Sequence, residues 1–67
     1  MKEIDIVQLK VDLPEEGLRQ GAKGTIVHEF STPRRAFEVV FDDEEGNLVA
    51  QCTLLPEQLE LVWEAPE

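Results

Sequence analysis

Between positions 4 and 13, Val7, Leu9, Val11 and Leu13 alternate with Gln8, Lys10 and Asp12, the period of a strand with one buried face. Ile6 falls on the opposite face, which predicts cover on both sides near the strand's start, or a kink there. Pro14 ends the pattern. From Gly24 to Phe30 the chain is rich in β-branched residues and reads as a second strand. Here alternation does not choose a buried face: Ile26, His28 and Phe30 share one side, Thr25, Val27 and Glu29 the other. Ser31, Thr32, Pro33, Arg34 and Arg35 form a loop by composition. The clearest strand follows, with Phe37, Val39 and Phe41 on one face as a predicted core triplet. A polar turn over 42–47, where Gly46 or Asn47 can supply a positive φ, leads into a fourth strand on which Leu48, Ala50, Cys52 and Leu54 alternate. Strands three and four thus make a hairpin. Leu55, Pro56, Glu57, Gln58 and Leu59 suit a single 3₁₀ turn, and Leu59, Leu61 and Trp63 alternate as a fifth strand. A single domain is expected over 1–67, with residues 1–3 and 64–67 fraying.

Five short strands, a long loop after the first and a 3₁₀ turn before the last give the order of an SH3-like barrel. The expected fold is therefore all-β: a small, five-stranded, partly open SH3-like barrel, whose curling would reduce exposed edges. Asp12-Leu13-Pro14-Glu15-Glu16-Gly17-Leu18, then Gly21, then Gly24-Thr25-Ile26-Val27, then Leu54, Pro56 and Leu59 resemble an uncharacterised prokaryotic domain-of-unknown-function family of small SH3-like proteins. The G-x-x-G-T-[IV]-V part is also similar to the glycine turn of KOW-type barrels. What the resemblance implies is a fold and hardly any chemistry.

Sixty-seven residues bury a limited core. The lone cysteine, Cys52, excludes an internal disulfide, and no Cys/His spacing offers a zinc site, so packing must offset chain entropy. A charge at every second or third position of MKEIDIVQLK fits neither a signal peptide nor a membrane span. With the unpaired cysteine, this makes a reducing, cytoplasmic setting the expectation. Fifteen acidic against six basic side chains give a net charge of −9. Such a polyanion is repelled by phosphate backbones, and its charge serves solubility or steers it toward a basic partner.

Three glycines between Asp12 and Val27 invite a phosphate-loop reading, but Lys23 precedes Gly24 and a strand follows, where a phosphate loop needs Lys-Ser/Thr at a helix start. No βαβ unit for a dinucleotide fits before residue 31. The glycines instead let the backbone take positive φ or pack closely as it reverses. Cys52, His28 and Ser31 are the nucleophile and base candidates. Cys52 shares the apolar face of its strand, and His28 has no carboxylate placed beside it by sequence. The consecutive carboxylates Asp42, Asp43, Glu44 and Glu45 lack the alternation of a calcium loop. Neither an enzyme, a cofactor nor a metal is expected.

Binding remains. Glu15 and Glu16 on the first loop and Asp42, Asp43, Glu44 and Glu45 on the hairpin turn are the candidate contacts of another protein, a basic one, with the chain acting as an inhibitor, an immunity or antitoxin-like protein, or an accessory subunit. Self-association through strand edges is a further expectation. The alternative is a nucleic-acid module using Arg34 and Arg35, disfavoured by charge and by the scarcity of exposed aromatics for stacking.

Overall fold

The computed structural model describes residues 1–66. Five strands, β1 (Ile6–Leu9), β2 (Lys23–Phe30), β3 (Ala36–Asp42), β4 (Leu48–Leu54) and β5 (Leu59–Trp63), form one antiparallel sheet in the order β4-β3-β2-β1-β5. Single 3₁₀ turns occupy Pro14–Glu16 and Pro56–Gln58. In the second, the Gln58 side-chain oxygen accepts the Leu55 N–H at 2.9 Å, fixing the approach to β5.

The expected partly open SH3-like barrel is corrected here. Closure would pair β4 with β5, and no ladder joins them among the described residues; both are edges of an open sheet. Small size does not force closure, because other segments cover the core face. Leu13 and Leu18 exchange N–H···O bonds of 2.9 and 3.0 Å and are buried in the cluster. Met1 and Ala22 pack against the same cluster.

The core stands on the predicted triplet. Phe37, Val39 and Phe41 are at most 1% exposed, since alternate residues of a strand share a face. Val7 and Leu9 of β1, Ile26 of β2, Cys52 and Leu54 of β4 and Leu59 of β5 complete it. β1 is shorter than the apolar alternation: Val11 is exposed, and Leu13 is buried from the loop.

Three register shifts decide which apolar residues leave the core. One between Ile26 and His28 leaves Val27 and His28 exposed, which answers the ambiguity of β2. A second, between Phe41 and Asp42, pairs Asp42 with Leu48 and leaves Leu48 62% exposed. The third lies between Ile6 and Val7: Val7 pairs with Leu61 but Ile6 with Trp63, so the extra residue, Val62, is a bulge. Ile6 is the residue whose phase was wrong for a simple one-sided strand.

Gly24 is buried in β2. A Cβ there would lie 2.8 Å from Val39 Cγ1 and 2.8 Å from the Val40 carbonyl oxygen, so it is close packing, not positive φ, that requires glycine at this position.

Asp5 is the one buried charged residue among those described, with 0% exposure. Its carboxylate accepts the Lys2 N–H at 3.0 Å, the Lys2 Nζ at 3.1 Å and the Ala65 N–H at 2.8 Å. Burial alone would raise its pKa; the bonds from Ala65 and Lys2 and the Lys2 charge outweigh that and hold it below its ordinary value. Of the terminal segment 64–67, Glu67 lies outside the described residues.

Candidate functional site

Glu15 and Glu16 stand on the Pro14–Glu16 turn, exposed. Gly17 follows at φ 71° with its N–H on the Pro14 carbonyl at 3.1 Å, a left-handed exit that glycine permits without strain. Buried Leu13 and Leu18 anchor the base of this excursion, Pro14 is exposed, and the Asp12 carboxylate accepts the Gln20 N–H at 2.7 Å. Between them lies an open recess of about 550 Å³ lined by Asp12, Pro14, Gly17, Leu18 and Arg19. The Gly17 and Leu18 N–H groups beside it are bonded to the Pro14 and Leu13 carbonyls, whereas a phosphate cradle offers free amides to its anion. The two carboxylates are held on a short, fixed projection.

In the hairpin turn, Asp42 ends β3, and Asp43, Glu44 and Glu45 are exposed. Asp43 holds the turn together, its Oδ1 accepting the N–H groups of Glu45 and Asn47, each at 2.9 Å. Those bonds, that from Asn47 foremost, hold its pKa below the ordinary value. Such an Asx arrangement closes the turn. Of the four turn carboxylates, Asp43 is thus partly committed to the backbone.

The two arginines differ. Arg35 donates to Glu29 Oε2 at 3.0 Å and to the Met1 carbonyl at 3.1 Å, and its guanidinium lies 5.1 Å from the Phe37 ring centroid. Arg34 is exposed and makes no ion pair among the described residues. Together they do not form a cationic groove.

Cys52 is buried on the core face. Burial pushes its thiol up, and the carboxylates of Glu16, Glu38 and Glu15 push it further, the reverse of the cationic setting that makes a thiolate nucleophile. His28 is exposed and stacks edge-on against Phe30 at 4.6 Å. No group of three or more His, Cys, Asp or Glu side chains that could hold a metal exists among the described residues. Nor is any helix among them long and apolar enough to cross a membrane.

One feature of the solvent face is marked in the strand periodicity by a single residue. Ile6 pairs with Trp63 on one side and Thr25 on the other, Thr25 with Val40, and Val40 with Gln51. Directly opposed residues of antiparallel strands share a face, so these five make one continuous row across the whole sheet. The off-phase Ile6 is its signal in the sequence.

A family model described as a domain of unknown function (DUF4926) matches residues 3–61, and the chain belongs to that family. No curated protein and no solved structure matches it.

Proposed function

We propose that this member of the DUF4926 family is a non-catalytic protein-binding module whose partner is basic, serving in the cytoplasm as an inhibitor, an immunity or antitoxin-like protein, or an accessory subunit. The observation that carries this reading is the charge of −9 on 67 residues, with Glu15, Glu16, Glu44 and Glu45 all exposed. Carboxylates in such density raise the encounter rate with a cationic surface and repel phosphate backbones. The open edges of β4 and β5 leave pairing with another strand, including that of a second copy, as a contributory mode.

Capture of partners from the native cell extract on the tagged full chain, at low and at high salt, tests the proposal. A basic protein retained at low salt and released as salt screens the pair is expected. Retention that ignores salt removes the electrostatic basis. The alternative, a KOW-like nucleic-acid module, predicts tight RNA or DNA binding at low salt that Arg34→Glu abolishes. Arg35 is less available for it, being tied to Glu29 and Met1.

A further inference from the structure

The solvent face of an antiparallel sheet is ordinarily polar. Here its central row is Trp63, Ile6, Thr25, Val40 and Gln51, one residue per strand. Three of the five carry only apolar or aromatic side chains, and Ile6, Thr25 and Val40 are only half-buried. Trp63, the sole tryptophan, is 51% exposed at the β5 edge.

Beside the row is a shallow concavity of about 180 Å³ bounded by Ile6, Lys23, Gly24, Thr25 and Asp42. Carboxylates flank the row on both sides. Glu60 pairs with Gln8 next to Ile6, Asp42 lies two residues beyond Val40, and Glu38, two residues before Val40, accepts from Thr53 at 3.3 Å. Lys23 is the one cation bordering this concavity.

We infer that this face, centred on the row from Trp63 to Val40, is the docking surface for a cationic amphipathic segment of a partner protein, whose apolar side chains lie on the row while its Lys or Arg side chains meet Glu38, Asp42 and Glu60. Charge selects the occupant. A second copy would bring another −9 against the same carboxylates, and a nucleic acid would bring phosphates, whereas a basic segment gains on both counts. This deepens the basic-partner reading above and rests on it.

The test titrates the full, isotope-labelled chain with a synthetic peptide carrying leucines on one helical face and lysines on the other. The expected result is amide shift changes concentrated at Ile6, Thr25, Val40 and Trp63, with a blue shift of the Trp63 emission. Thr25→Lys weakens binding by about tenfold or more, and so does Gln51→Lys, an exposed position in the same row that keeps the test informative if Thr25→Lys impairs folding. Glu15→Lys, in the first loop, changes affinity less than about threefold. Shifts confined to Glu15, Glu16 and residues 43–45 overturn the inference and leave the basic-partner reading standing. Equal binding of a leucine/glutamate peptide overturns it too, as does concentration-dependent dimerisation through Trp63. Absence of any binding by the cationic peptide overturns the inference, whereas the basic-partner reading falls only if capture from the extract retains no basic protein that salt releases.

Discussion

The Asp5 carboxylate accepts the backbone N–H of Ala65 at 2.8 Å, across sixty positions of sequence. Through the same carboxylate the Lys2 backbone and ammonium join the arrangement, so one buried charge ties the segment before β1 to the segment after β5. Three donors compensate its desolvation, which a single partner would not.

Asp5→Asn is therefore expected to lower the melting temperature by several degrees near neutral pH. Since the folded state holds the Asp5 carboxyl below its ordinary value, the unfolded chain binds protons more readily in that range. The stabilisation is thus full above about pH 4 and is lost as pH falls through the folded-state value. Thermal unfolding of both proteins from pH 7 down to pH 3 should show their difference shrinking in acid. A difference that grew in acid would contradict the assignment.

Ile4, next to this clamp, has φ 77° and is 60% exposed. A β-branched residue in the left-handed region carries about 1–2 kcal/mol of strain, and little buried area offsets it. Ile4→Gly relieves the strain but adds freedom to the unfolded chain, worth roughly 0.5–1 kcal/mol the other way. The expected outcome of urea unfolding is a stability unchanged or raised, by up to about 1 kcal/mol, where loss of an ordinary exposed isoleucine to glycine would lower it.

Gly24→Ala should act in the opposite direction. Its methyl would meet Val39, the Val40 carbonyl and Phe41 at 2.8–2.9 Å, and two of these belong to strand backbone or a packed ring. Overpacking of this kind costs about 1–3 kcal/mol, to be read from the same urea midpoints.

What the sequence made legible is what depends on short-range periodicity. Phe37, Val39 and Phe41 alternate on a central strand, so phase alone places them in the core. The same alternation at Leu59, Leu61 and Trp63 misleads, because β5 is an edge and the bulge opposite Ile6 turns Trp63 to the solvent face. Closure of the sheet depends on whether β4 reaches β5, a long-range relation that no local pattern encodes. Asp5 escapes local pattern for the same reason: its partner Ala65 is at the far end of the chain. Of the candidate contacts, the loop and turn positions of the carboxylates followed from composition, whereas the row on the solvent face required the register.

Cys52, a nucleophile candidate by residue type, allows a direct check of its reactivity. Buried and with its thiol pushed up by desolvation and by Glu16, Glu38 and Glu15, it should react with a disulfide reagent at least about tenfold more slowly in the native protein than in urea. Fast native labelling would place the thiol in a different environment.

Asp43 connects the hairpin turn to pH. Its lowered pKa, due first to the Asn47 N–H, means that the turn bonds are present above about pH 4 and weaken as the carboxyl protonates. Amide exchange at Glu45 and Asn47, corrected for the intrinsic pH dependence, should therefore lose protection in acid, while that of Val39 in the core persists. Asp43→Ala should abolish the protection of those two amides at neutral pH without altering Val39. If Glu45 and Asn47 stayed protected in the variant, the Asp43 carboxylate would not be what closes the turn, and all four acidic residues from 42 to 45 would again be free for a partner.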